Sequence, residues 1–138
     1  QKNDAVLALE GNVIDLGADL NFIDQLDQNI IFYLARFGRT ETIRYSCENG
    51  ANPDIRDKYG QTPLYYASRE GHLSTVKLLI ELGANINNLD NLSNQTALFY
   101  AAREGKLDAL KYLVSQGADP FHIDNKKQSA MNYAKKYG

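Results

Sequence analysis

Short words recur along this chain at a nearly constant interval, and that interval constrains the fold more than anything else in it. Gly17-Ala18-Asp19, Gly50-Ala51-Asn52, Gly83-Ala84-Asn85 and Gly117-Ala118-Asp119 follow one another at spacings of 33, 33 and 34 residues. Asp24, Asp57, Asp90 and Asp124 keep the same spacings. Asn29, Thr62, Thr96 and Ser129 come next in each unit, and Gly38, Gly71, Gly105 and Gly138 after them. A period of this size marks one supersecondary block, too small to bury its apolar face alone, so the blocks must stack. The one extra residue lies between Asp90 and Thr96, in DNLSNQT against DKYGQT. It falls in a surface turn, where an insertion costs little.

The unit that begins at Asp57 can be read residue by residue. Thr62 stands at a helix N-cap, where its hydroxyl can accept from an orphan amide, and Pro63 fills the first helical position, where a missing N–H is harmless. The pattern predicts a short helix to about Glu70, with Leu64 and Ala67 on one face. Gly71 can take positive φ and end it. A second helix is expected from about Leu73 to Leu82, with Val76, Leu79 and Ile80 at core spacing, and Gly83 ends that one. The polar Asp- and Asn-rich stretch between units, with Gly60 at its tip, reads as an extended turn or hairpin. Ala67, Ala101 and Ala134 leave room for close helix approach.

In this register the words resemble the ankyrin repeat. The resemblance implies an all-α repeat solenoid of paired antiparallel helices with β-hairpin or turn fingers. It implies a single domain over 1–138: a partial, irregular repeat at 1–23, repeats at 24–56, 57–89 and 90–123, and a half repeat at 124–138. Unit 24–56 departs from the pattern, with Asn29-Ile30-Ile31 in place of Thr-Pro-Leu. In residues 1–23, Gly11 lies 6 residues before Gly17, whereas Gly71 lies 12 before Gly83, so Gly11 cannot be the inter-helix glycine.

Composition narrows the function. With 15 Lys+Arg against 17 Asp+Glu the net charge is −2, which argues against broad capture of nucleic acid. No apolar run approaches the ~20 residues that span a bilayer, so no membrane insertion is expected. A lone cysteine, Cys47, points to a reducing, intracellular compartment (cytoplasm or nucleus), and its place inside a second helix reads as a small buried hydrophobe. Asn91-Leu92-Ser93 and Asn94-Gln95-Thr96 fit the glycosylation triplet, but in an Asn-rich chain these read as chance. The chain opens on Gln1, which suggests a monomeric module within a longer protein. The histidines do not converge with a nucleophile or a metal-ligand set: His72 follows an inter-helix glycine, where the family often has histidine for structural reasons, and His122 sits in a finger. No phosphate-cradling loop is visible, and neither catalysis, a cofactor nor a metal is expected.

Three columns then stand out. The first reads Phe32, Tyr65, Phe99 and Asn132, where the family commonly has a histidine that braces the neighbouring turn. The rings are expected to wedge under the finger by packing alone. The second reads Tyr33, Tyr66, Tyr100 and Tyr133, and three residues further on comes a cation each time: Arg36, Arg69, Arg103 and Lys136. A spacing of i, i+3 sets each tyrosine beside its own cation. Finger tips add Leu26, Tyr59 and Leu92, and Glu70 and Glu104 flank two of the arginines.

Two readings of the tyrosines stand side by side: they stack between repeats, or they line the concave face that the family uses for partners. Helices about 10 Å apart would spread the cations over roughly 30 Å, the length of about nine extended residues. Tyrosine and arginine are also the types enriched at binding hot spots. The expectation is a non-catalytic protein-interaction module that takes a peptide or protein with acidic or phosphorylated residues. Its contacts would be Tyr33, Arg36, Tyr59, Tyr66, Arg69, Glu70, Leu92, Tyr100, Arg103, Glu104, Tyr133 and Lys136. A second class is the recognition or regulatory domain of a larger enzyme (kinase, acyltransferase or methyltransferase). A variant of it is a methyl-lysine reader built on tyrosines with Glu70 or Glu104.

Overall fold

A computed structural model describes residues 19–137. Each of the units 24–56, 57–89 and 90–123 becomes two short helices joined at a glycine in the left-handed region: Gly38, Gly71 and Gly105 have φ of 70°, 74° and 67°. Crowding adds to conformation, since a Cβ on Gly38 would sit 2.8 Å from the His72 ring. The helices are α1 (Ile30–Arg36), α2 (Thr40–Glu48), α3 (Pro63–Glu70), α4 (Leu73–Glu81), α5 (Ala97–Arg103), α6 (Leu107–Ser115) and α7 (Ala130–Tyr137). The first helices α1, α3, α5 and α7 pack closely on one another in one layer, and the second helices α2, α4 and α6 form a looser layer behind them. The core runs between the layers through Leu34, Ile43, Leu64, Ala67, Val76, Leu79, Leu98, Ala101 and Leu113, all buried. Ile80, expected in that core, is half-buried, and Leu78 is buried instead.

The helix starts differ from expectation. Thr62 and Thr96 do stand at N-caps, but their hydroxyls make no cap bond and are buried without a partner. The amides they were expected to hold, those of Tyr65 and Phe99, donate instead to the cap residues' own carbonyls at 3.0 and 3.1 Å. The departure at Asn29 turns out to be the capping side chain, its Oδ1 accepting from Ile31 N at 3.0 Å. Asparagine reaches one atom further than threonine and meets the second amide of the helix.

The fingers are turns; no strand occurs among the described residues. Each is folded around its aspartate. Oδ1 of Asp57 accepts the amides of Tyr59 and Gln61 at 2.9 and 3.0 Å, and Asp24 and Asp124 do the same for Leu26 and Gln28 and for Lys126 and Gln128. Neighbouring fingers touch through one backbone bond each: Lys58 N to Leu26 O, Asn91 N to Tyr59 O and Asn125 N to Ser93 O, at 2.8, 2.8 and 3.0 Å. Within a finger the backbone bonds, Asp57 N to Gln61 O and Gly60 N to Asp57 O in one unit, close a tight turn without extending into a ladder, so of the expected hairpin or turn it is the turn that forms.

These bonds also locate the insertion. Positive φ falls on Asp27, Gly60, Asn94 and Lys127, and Asp90 accepts from Ser93 and Gln95 rather than from the residues two and four ahead. Ser93, not Leu92, is therefore the counterpart of Leu26 and Tyr59. Leu92 belongs to the extra length and is pushed outward, 60% exposed.

Of the partial unit 1–23, Gly11, Gly17 and Ala18 lie outside the described residues, as does Gly138 at the other end. Asn21 is described and clamps the next unit: its Nδ2 donates to Gly50 O and its Oδ1 accepts from Asn52 N, both at 2.9 Å. No helix among the described residues is long and apolar enough to cross a membrane.

Candidate functional site

The tyrosine column lies along the first-helix layer. Tyr66 is buried, Tyr33, Tyr100 and Tyr133 are half-buried, and their hydroxyls serve the fold. The Tyr66 hydroxyl donates to Asp57 Oδ2 at 2.9 Å and the Tyr133 hydroxyl to Asp124 Oδ2 at 2.8 Å; Tyr33 bonds Asp24 in the same way. The aspartate that folds each finger with one oxygen thus holds its own unit's tyrosine with the other. Tyr100 is the exception: the insertion displaces Asp90 in register, and the Tyr100 hydroxyl accepts from Gln61 Nε2 at 2.5 Å.

That glutamine belongs to a fourth column, Gln28, Gln61, Gln95 and Gln128, which carries the polar chain from one unit to the next. Gln28 Nε2 donates to Asp57 Oδ2 at 2.9 Å and to the Tyr66 hydroxyl at 3.0 Å, and Gln95 Nε2 donates to Asp124 Oδ2 at 2.8 Å. The column is as regular in the sequence as the tyrosines, and the in-register comparison that found them would find it. Burial, joined by the Asp24 and Asp57 carboxylates, raises the Tyr33 and Tyr66 hydroxyls well above the usual phenol range, Tyr33 to about 12. Burial works to raise Asp124 as well, but bonds from the Gln128 amide, Gln95, Tyr133 and the Lys126 amide outweigh it and hold the carboxyl low. Burial also pushes the Cys47 thiol up to about 11, against nucleophilic use.

The first aromatic column does more than pack. Phe32 and Phe99 meet the next unit's tyrosine edge to face, at 5.9 Å from Tyr66 and from Tyr133. Tyr65 meets Tyr100 similarly at 5.5 Å, but its hydroxyl donates to Asn88 O at 2.6 Å, with Gln95 O at 2.7 Å as a second acceptor. Expected to act by packing alone, Tyr65 braces the following finger by hydrogen bonding because it, unlike phenylalanine, carries the needed donor. Asn132 turns back to its own helix start, its Oδ1 accepting from Ser129 N at 2.8 Å. His72 donates from Nε2 to Arg36 O at 3.0 Å, and His122 lies 2.9 Å from Asn94 O, so both histidines brace turns.

The guanidiniums lie over the tyrosine rings. Arg36 sits 5.3 Å from the Tyr33 centroid and 4.9 Å from that of Tyr66, bridging two units. Arg103 bridges Tyr100 and Tyr133 likewise, at 5.0 and 5.3 Å, and donates to Gln95 Oε1 at 2.9 Å. Arg69 covers Tyr66 at 5.1 Å, and its Nε bonds Glu70 Oε2 at 2.9 Å, so that pair is partly neutralised. Lys136 lies 5.4 Å from the Tyr137 ring, not on Tyr133, which stacks with Tyr137 instead. Glu70, Glu104 and Lys136 are exposed, as are Tyr59 and Leu92 at the finger tips. The columns therefore form one stripe of alternating tyrosine and guanidinium, interrupted between Arg69 and Tyr100, with carboxylates on its flank. Among the described residues, no group of three or more His, Cys, Asp or Glu side chains could hold a metal.

Comparison with known families agrees with this architecture. A model of ankyrin repeats in three copies matches residues 4–90, and the single ankyrin repeat model matches residues 93–126. A search of curated proteins finds no match to the chain. Repeats that pair short helices at glycine turns, fingers folded on an aspartate and family models over most of the length lead to one conclusion: the chain belongs to the ankyrin repeat family.

Proposed function

We infer that this chain, like ankyrin repeats in general, is a protein–protein interaction module. We propose that this array binds an extended partner segment bearing carboxylates or phosphates along its tyrosine–arginine stripe, with the finger tips Tyr59 and Leu92 as flanking apolar contacts. The observation that carries the reading is the bridging of Tyr33 and Tyr66 by Arg36, repeated at Tyr100 and Tyr133 by Arg103. A guanidinium held between two rings has lost part of its rotamer freedom before any partner arrives, so less entropy is lost when it meets an anion. Ring contact leaves the N–H edge available for a bidentate acceptor. The same geometry speaks against a methyl-lysine cage, because Tyr66 is contacted by two guanidiniums of the chain itself.

Arg103 is a poor target for mutation, since its loss would strip Gln95 of a bond. The test is an Arg36→Gln/Arg69→Gln double variant against a degenerate peptide library that includes phosphoserine, aspartate and glutamate. Wild type should enrich acidic or phosphorylated peptides, and the variant should retain them at least tenfold less well with its fold intact by circular dichroism. Equal retention by both proteins, or no enrichment of anionic peptides, refutes the proposal.

A further inference from the structure

Three arginines hold one column in the last turns of α1, α3 and α5, all half-buried, yet their guanidiniums are engaged in three different ways. Arg103 donates to Gln95 Oε1 at 2.9 Å, within its own unit. Arg69 is turned to Glu70, its Nε 2.9 Å from Oε2. Arg36 spans the rings of Tyr33 and Tyr66, and among the described residues its N–H groups meet neither an acceptor nor a carboxylate. The cause lies in Gln28, the counterpart of Gln95. Gln95 bonds Asp124 through Nε2 and turns Oε1 to its arginine. Gln28 Nε2 reaches both Asp57 Oδ2 and the Tyr66 hydroxyl, at 2.9 and 3.0 Å, and its Oε1 is left buried without a partner. The backbone that carries the open guanidinium is held by the next unit, since Arg36 O accepts from His72 Nε2 at 3.0 Å.

The residue after each arginine widens the difference: it is Glu70 and Glu104 in two units and Phe37 in the first. Glu70 has described units on both sides and is still exposed, so this column faces solvent within the array and not only at an end. Phe37 therefore puts a ring, 58% exposed, where the other units put an acid. We propose that the stripe reads a single anion, at Arg36, and that the bound segment carries an apolar side chain next to that anion, against Phe37. This rests on the anionic-segment reading above and narrows it from an anion at every arginine to one anion beside one hydrophobe. A phosphate or carboxylate takes two parallel N–H bonds from a guanidinium, and Arg36 has its donors open for them. Arg103 has one donor committed to Gln95, and Glu70 neutralises Arg69 in part. The neighbouring hydroxyls offer no alternative, because Tyr33 and Tyr66 donate theirs to Asp24 and Asp57.

The probes are three libraries of random peptides about nine residues long, with phosphoserine, glutamate or serine fixed at the centre and no other acid. Wild type should retain an anionic library at least tenfold better than the serine library, with apolar residues enriched next to the anion. The better retained of phosphoserine and glutamate names the source of the anion. Arg36→Gln should lose at least tenfold, as should Phe37→Glu, which sets beside Arg36 the acid of the other units. Arg69→Gln should lose less than twofold, and all three should keep the circular dichroism of wild type. A readout free of substitution is the isotope-labelled wild-type chain, in which inorganic phosphate should shift the Arg36 side-chain N–H signal at lower concentration than those of Arg69 and Arg103. No preference of wild type for either anionic library overturns the anionic reading and this inference with it. This inference alone is overturned by an anionic preference that survives Arg36→Gln or Phe37→Glu or that falls as far with Arg69→Gln. Absence of apolar enrichment beside the anion, or equal shifts at the three arginines, overturns it as well.

Discussion

Asp54 should be a better asparagine. It occupies the place that Asn21 and Asn87 hold in the flanking units. Asn21 clamps the next finger with both ends of its amide, and Asn87 does the same, donating to Gly117 O at 3.0 Å and accepting from Asp119 N at 3.1 Å. Asp54 manages only half of this: Oδ2 accepts from Asn85 N at 3.2 Å, and Oδ1 is buried with no partner. In the repeat register Oδ1 stands where the other two offer an N–H donor to a glycine carbonyl. An Asp54→Asn change turns an orphan acceptor into a donor, which regains one hydrogen bond and relieves a desolvated oxygen, together about 2–3 kcal/mol. Loss of the charged acceptor for Asn85 takes back about 1 kcal/mol, leaving a net gain of about 1–2 kcal/mol at neutral pH.

The pH dependence of that gain has a definite sign. Burial raises the Asp54 carboxyl above its unfolded value, partly countered by the Asn85 bond. The folded state therefore holds its proton more tightly than the unfolded one, and wild type gains stability as pH falls through the raised value. The advantage of Asp54→Asn is then largest at pH 7 and shrinks in acid, where the protonated carboxyl can itself donate. Urea unfolding of both proteins at neutral and mildly acidic pH measures this directly. A midpoint for the variant at or below wild type at pH 7, or a difference that grows on acidification, would refute the reasoning.

Two further substitution pairs test the scaffold. Gln95→Ala should cost about 2–3 kcal/mol in thermal unfolding, since it strips bonds from both Asp124 and Arg103, while Gln128→Ala, at an exposed position, should stay within about 0.5 kcal/mol. Gly38→Ala should destabilise more than Gly105→Ala in urea unfolding: both suffer positive φ, but only the first meets a ring.

What could be read in the sequence was whatever sterics decide within one unit. Gly71 ends a helix because of its own backbone, and Leu64 and Ala67 face inward because of helical spacing, so neither needs knowledge of a neighbour. Relations between units were harder. That Arg36 spans its own tyrosine and the next one depends on how two helices are set side by side, which i, i+3 spacing cannot express. The insertion could be bounded by Asp90 and Thr96 but not placed, because only the left-handed residue at Asn94 and the bond to Ser93 show where the turn resumes. Asp24, Asp57 and Asp124 were visible as punctuation, yet their double duty toward finger and tyrosine needs both oxygens in view. The Thr62 hydroxyl was misjudged because the backbone carbonyl beside it competes for the same amide.

The displaced Asp90 also bears on how the array yields under load. On one side, Gln28, Asp57 and Tyr66 form a closed polar link between neighbouring units, and on the other Gln95 and Tyr133 are linked through Asp124. At the junction between them the stripe keeps only the contact of Gln61 with Tyr100 and the guanidinium bridging breaks, while Tyr65 bonds Asn88 O and Gln95 O and Arg56 bonds Asn88, Leu89 O and Asn91 across the fingers. One inserted residue thus shifts the bonds that resist bending from the tyrosine stripe to the edge of the fingers, so pulling on the array loads Arg56 and Tyr65 at this junction where it loads aspartate and glutamine at the others.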